Sequence, residues 1–326
     1  MMFILKPIYK HVIWGGAGIL RLKGEEGSVA LVAGAGIGES WEVSDMEGEE
    51  SEVCGGPHAG ETLRGLLERY GEGLTGAGVL RGGRFPLLLK LIDARENLSI
   101  QVHPDDELAW RRHGESGKTE MWYVVGAERG ASLYCGFSRA VERGEYEVLL
   151  REKRLVEVLQ RYEVSPGDVF YIPAGCIHAI GAGCLIAEIQ QSSKLTYRIY
   201  DYDRRGLDGQ LRPLHRELAG EAIDFSYQGS YRVEYGEGVE GVGGRRQLVS
   251  CRYFTTNLVC GEKELSVSTG GRFQIYICVE GRALFVDVRG EEVEVSQGQT
   301  LFVGGDTGQF DIKPAGRVKL LETYIM

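Results

Sequence analysis

The chain lacks cysteines spaced as a CxxC pair, clustered basic residues, and any apolar run near the ~20 residues of a membrane span. Each absence removes a class. The seven cysteines, at 54, 135, 176, 184, 251, 260 and 278, are odd in number. They read as free, mostly buried thiols in a reducing cytoplasm. No Lys/Arg cluster is interleaved with aromatics and the net charge is −10, so no nucleic-acid partner is expected. An anionic small substrate stays open, since a phosphate needs only a few local cations. The opening MMFILKPIYK has no basic n-region, long apolar core or cleavage site, so neither a signal peptide nor a membrane partner is expected. GGAG (15–18) and GAGIG (34–38) lack the Lys-Ser/Thr of a phosphate loop and read as turns.

Glycine is what the chain has in excess: 48 residues spread along its length, about twice the usual share. That distribution suits many short strands joined by tight turns. Two stretches carry helical periodicity. ETLRGLLERYG (61–71) places Leu63, Leu66, Leu67 and Tyr70 on one stripe. The segment 144–163 carries Tyr146, Leu149, Leu150, Leu155, Val158, Leu159 and Tyr162 at helical spacing, broken once, and 213–225 is a weaker helix. Nearly everything else is strand-length and apolar or alternating, as in PLLLKLID, EMWYVVG, CLIAEIQQ and LTYRIYD. Residues 227–247 are rich in glycine and poor in apolar side chains, which predicts a linker between a first lobe (1–226) and a C-terminal one (248–326).

Six histidines, at 11, 58, 103, 113, 178 and 215, limit where imidazole chemistry can lie. Gly167-(x5)-Pro173-x-Gly175-x2-His178 resembles the second cupin motif, in which two turns bracket a strand and aim the histidine into a barrel. Gln101-Val102-His103 stands where the first motif places its ligands, and side chains two apart on a strand share a face. Lys118 and Glu120 share a face in the same way. Together Gln101, His103, Glu120 and His178 offer an amide, two imidazoles and a carboxylate, a set suited to Zn²⁺, with Mn²⁺, Fe²⁺ or Co²⁺ as alternatives. The fold expected is mainly β, with two cupin-like (jelly-roll) β-barrel lobes and a small helical insertion in the first. SPGDVFYIPAGCIHAI in the first lobe and SQGQTLFVGGDTGQFDI in the second share a pattern, but only the first contains a histidine. The expectation is one working barrel and one non-catalytic barrel.

PIYKHVIWGG (7–16), IGESWEVSD (37–45), FPLLLKLIDARENLSIQVHPDD (85–106), GKTEMWYVV (117–125) and TYRIYDYDR (196–204) closely resemble the short bacterial form of the type I mannose-6-phosphate isomerases. The resemblance implies interconversion of mannose 6-phosphate and fructose 6-phosphate through an enediol, with one Zn²⁺ per chain on Gln101, His103, Glu120 and His178. It implies an active-site arginine at Arg198 and a glutamate at Glu188, which we read as a desolvated base with a raised pKa. Lys118 joins the catalytic candidates, and Lys90 and Ser99 are the candidates for substrate or phosphate contact. A monomer or weak homo-oligomer in the cytoplasm, acting on a phosphorylated hexose, is the expectation. Two rivals are a sugar-binding cupin without catalysis and a metal-dependent cupin oxygenase. The first has no use for a base, and the second calls for more imidazole.

Overall fold

Leu87, Leu89 and Leu91 alternate along one strand with Lys90 and Ile92, and the two sets serve different neighbours. The computed structural model, which describes residues 1–30, 33–227, 229–236 and 244–326, shows why. Strand Leu87–Ala94 is buried at every position, as a strand covered on both faces must be. It lies inside a six-stranded antiparallel sheet ordered Val169–Ile172, Glu120–Ala127, Cys184–Gln191, Leu87–Ala94, Gly36–Val43, Ile8–Val12. A five-stranded sheet (Leu159–Glu163, Ser132–Phe137, His178–Ile180, Ile100–Val102, Tyr197–Tyr200) covers one face. The C-terminal lobe pairs a second six-stranded sheet with a four-stranded one (Leu265–Ser268, Gln309–Pro314, Arg282–Asp287, Glu292–Ser296).

The two six-stranded sheets lie back to back. Leu87, Leu89, Leu91, Met121 and Ile189 of the first share one buried cluster with Ile275, Ile277, Phe302 and Leu321 of the second. The largest apolar core therefore lies between the lobes, and a smaller core fills each lobe. Strand Met2–Leu5 crosses the division expected at residue 226. It pairs antiparallel with Thr300–Val303, so the first strand of the chain completes the sheet of the last lobe.

Helix Leu63–Tyr70 forms as its periodicity predicts. Thr62 caps it by accepting the Gly65 amide at 3.1 Å, and its buried stripe is Leu63, Leu66 and Leu67. Thr62→Ala should lower stability by about 1 kcal/mol, read as a lower urea midpoint at unchanged slope; no shift would mean the cap is redundant.

The helix expected over 144–163 stops early. Helix Arg143–Arg151 ends before Lys153, whose φ is 59°; one turn of 3₁₀ helix, Leu155–Val158, follows, and Leu159–Glu163 is a strand. Leu159 faces one core and Tyr162 another. Their three-residue spacing thus reports the two faces of a strand rather than one face of a helix. The weaker candidate is helix Arg216–Ala222. A helix not anticipated, Asp106–His113, follows Pro104 at once, capped by the Asp105 carboxylate on the Leu108 amide at 2.8 Å.

Of the expected linker, residues 228 and 237–243 lie outside the described residues. The rest is not free: Tyr231 and Val233 hydrogen-bond to the Val169–Ile172 strand, and strand Gly244–Ser250 begins inside it. GAGIG likewise leads directly into strand Gly36–Val43. The cysteines are free thiols. Among the described residues no helix is long and apolar enough to cross a membrane.

Candidate metal centre

Two rows of side chains face each other across the first lobe. On the five-stranded sheet His178 lies opposite Gln101, and Gln101 opposite Arg198. Directly opposed residues present side chains on the same face, so these three form one row. On the six-stranded sheet the corresponding row is Trp122, Glu188, Lys90 and Trp41. Glu120, two residues before Trp122, adds a carboxylate at the end of its strand. The turn that delivers His178 depends on Gly175, which has a φ of 88°; a Cβ there would meet the Ala222 carbonyl at 3.1 Å. Its amide donates to the His103 carbonyl at 2.9 Å and ties the two histidine segments together.

The donor atoms of His103, Glu120 and His178 lie within 4.8 Å of one another, and all three residues are buried. Each imidazole is oriented from behind. His103 Nδ1 donates to the Leu195 carbonyl at 2.8 Å and His178 Nδ1 to the Cys176 carbonyl at 2.9 Å, which leaves both Nε2 lone pairs facing inward. His103 Nε2 is 3.5 Å from Glu120 Oε2, and His178 Nε2 is 3.4 Å from Glu120 Oε1. Burial and the Lys118 ammonium hold His103 well below the ordinary imidazole range. Burial first, then Lys118, pushes His178 down to about 4. Both rings are therefore neutral donors at neutral pH.

The residues present fit a divalent cation. Glu120 Oε1 is buried with no hydrogen-bond partner, although an orphaned carboxylate oxygen is costly. Burial and Glu188 raise the Glu120 pKa, so a nearby cation would favour its charged form. The Lys118 ammonium sits among the donors, 3.0 Å from His103 Nε2 and hydrogen-bonded to Glu120 Oε2. Gln101 is adjacent, its amide nitrogen 3.2 Å from His178 Nε2 and its oxygen 3.3 Å from Ser99 Oγ. Among the described residues this is the one His/Cys/Asp/Glu group with metal-holding geometry. His113 is elsewhere, 2.9 Å from the Tyr197 hydroxyl.

A cavity of about 240 Å³ opens beside these donors. Gln101, Lys118, Glu188, Arg198, Lys90 and Ser99 all line it. Glu188 accepts the Trp122 indole N–H at 2.9 Å and sits 3.2 Å from Lys90 Nζ. Burial alone would raise its pKa, but Lys118 and Lys90 outweigh burial and hold it below the carboxylate range. The raised pKa expected of an isolated carboxylate on an apolar strand is therefore not found: the strand beside it supplies a lysine. Burial alone would lower Lys90, but Glu39 and Glu188 overcome it and hold the ammonium above its ordinary range.

Arg198 is not the salt-bridge partner of Asp201. That carboxylate takes Arg204 at 2.7 Å and Arg212 at 3.3 Å, while Arg198 Nη1 donates to the Pro213 carbonyl at 3.1 Å. The lining residues that sequence reasoning missed include Trp14, Glu39, Trp41, Lys194 and Arg212. Lys194 and Arg212 lie outside helix and strand, where no periodicity marks a face.

Residues 2–122 match the family model described as phosphomannose isomerase type I, catalytic domain. The chain is 33% identical over 310 residues to mannose-6-phosphate isomerase ManA of Bacillus subtilis, covering 94% of each protein. It is 39% identical over 222 residues to mannose-6-phosphate isomerase of Streptococcus mutans, covering 68% of this chain and 67% of that one. The crystal structure of mannose 6-phosphate isomerase from Bacillus subtilis superposes with a TM-score of 0.88 at 31% identity, covering 99% of both chains. A variant of phosphomannose isomerase from Salmonella typhimurium shares the fold, with a TM-score of 0.77 at 15% identity and the same coverage.

Proposed function

Because the chain belongs to the type I phosphomannose isomerases, we propose that the first-lobe cavity is where it interconverts mannose 6-phosphate and fructose 6-phosphate. It is an aldose–ketose isomerase, and the residues around that cavity divide the work of metal holding, proton transfer and substrate binding. The observation that carries the reading is the cluster of His103, Glu120 and His178, joined through Lys118 and Gln101 to a cavity that those two residues line with Glu188 and Arg198.

His103, Glu120 and His178 would hold the metal, with the Gln101 amide as the fourth donor. When bound, a divalent ion there, zinc by the N/O character of the set, supplies Lewis-acid polarisation of the sugar oxygens. Glu188 stands ready as a carboxylate, the protonation state that can accept a proton from C1 or C2. Lys90 and Lys118 keep it ionised and weaken it as a base until substrate draws on their charge. Lys118, beside His103 and Glu188, is placed to donate to the oxygen that gains charge in the enediol. The Arg198 guanidinium faces the cavity from the far end of the histidine row and meets anionic oxygens. Lys90 and Ser99 would contact the substrate from the two opposing sheets. The free thiols agree with a reducing cytoplasm.

A coupled assay for fructose 6-phosphate formation, with and without chelator, tests the whole. Chelator-sensitive turnover is expected, and its absence in freshly metallated protein would overturn the reading. Glu188→Gln tests the base. Turnover should fall about 10²- to 10⁴-fold with the metal content unchanged; full turnover in that variant would remove Glu188 from the proton transfer.

A further inference from the structure

The charges lining the cavity are unevenly balanced. Lys90 has two carboxylates, Glu188 at 3.2 Å and Glu39 at 3.6 Å. Lys118 has Glu120 in hydrogen-bond contact and Glu188 at 3.9 Å. These two lysines are spoken for by anions that a sugar phosphate would have to displace. At the other end of the cavity the single buried carboxylate of Asp201 pairs with two guanidinium groups, those of Arg204 and Arg212, while the nearby Arg198 makes no ion pair with it. Arg204 takes the shorter contact to Asp201 and lies 3.6 Å from Glu96 as well. Arg198 has no carboxylate within salt-bridge distance among the described residues, and its Nε is buried with no hydrogen-bond partner. Arg198 and Arg212 both line the cavity.

We propose that Arg212, braced by Asp201 and acting beside Arg198, is the clamp for the phosphomonoester end of the substrate, with Lys194 guarding the mouth. The placement suits an extended substrate. Arg198 stands two strands from His178 along one row, about 10 Å at the usual strand spacing. The reacting carbons would then lie at the metal donors while the phosphate reaches the arginines. A dianion is the chemistry this end lacks: two planar cations with spare donors match its oxygens in bidentate fashion. Both guanidinium groups are held below their ordinary pKa by burial and by other arginines, which also marks the region as short of negative charge. Lys194 shares Glu49 with Lys10, so a single carboxylate serves two ammonium groups at the rim.

This inference rests on the sugar-phosphate reading, and the experiment separates the two. Wild type, Arg212→Ala, Arg212→Lys and Lys90→Met are assayed with mannose 6-phosphate, with unphosphorylated mannose at high concentration, and with inorganic phosphate as competitive inhibitor. Loss of a charged hydrogen-bond donor should raise KM for mannose 6-phosphate and the phosphate Ki about 10- to 100-fold in Arg212→Ala. The kcat should change far less, the kcat/KM for mannose should stay at the wild-type value, and Arg212→Lys should recover part of the loss. A variant that merely misfolds would lose mannose turnover too and would show it in thermal melting, in which case Arg212→Lys alone decides. Unchanged KM and Ki in both Arg212 variants overturns the clamp, as does a larger rise in Lys90→Met. Failure of the wild type to turn over mannose 6-phosphate would instead overturn the underlying reading.

Discussion

Glu120→Gln is expected to strip the divalent metal and to lower kcat/KM for mannose 6-phosphate about a thousandfold, the several kcal/mol that Lewis-acid assistance contributes. The substitution keeps the shape and removes one charge. Among the described residues Glu120 is the one carboxylate within reach of both imidazoles, at 3.5 and 3.4 Å. Neutral amide in its place leaves a cation with two neutral rings and no anionic donor, while Lys118, 3.0 Å from His103 Nε2, still repels it. Metal per folded chain, measured by elemental analysis after gel filtration, should fall from near one to a small fraction. The strand keeps its backbone pairing with Val169–Ile172 and Cys184–Gln191, so the far-ultraviolet spectrum should not change. Full metal content with full activity in the variant would exclude Glu120 as a ligand.

Phe302→Ala is expected to cost about 3–5 kcal/mol of stability, the range for truncating a buried aromatic. Phe302 is fully buried between the lobes. Its ring lies 5.1 Å from Phe3, 5.7 Å from Phe273 and 5.8 Å from Phe85, centroid to centroid. Phe85 leads into strand Leu87–Ala94 of the first lobe, so one side chain touches both lobes. Urea unfolding followed separately by fluorescence and by loss of isomerase activity should shift to lower midpoints together. If the C-terminal lobe unfolded first and activity survived, the back-to-back sheets would not be acting as one unit.

The site is more legible in the sequence than the packing around it. His103, Glu120 and His178 stand out because charge and imidazole interrupt apolar strands, and period-two alternation tells which residues share a face. Lys90 in LLLKLI is conspicuous for the same reason. Alternation cannot say what lies across the cavity. The opposition of Glu188 to Lys90 is a register between two strands, and it reverses the pKa that desolvation alone predicts. Arg212 and Lys194 come from irregular segments, where only the folded path shows which way they lie. The false helix over 159–163 arises because that strand feeds two cores, so its apolar residues do not alternate. The helix after Pro104 carries its signal in a polar cap, Asp105, a residue type equally at home in a loop.

The pairing of Met2–Leu5 with Thr300–Val303 sets an order of events during synthesis. At about 5–20 residues per second a ribosome needs roughly 15–60 s to travel between those two segments. The first strand to emerge must therefore wait for one of the last before it finds its place. Meanwhile the candidate metal donors have been made, but Phe302 and Leu321 are not yet there to complete the cover over the leucine face of the first-lobe sheet. A chain halted short of residue 300 would carry all the candidate ligands and an incompletely covered apolar surface, so translational arrest should yield aggregates and not a smaller enzyme.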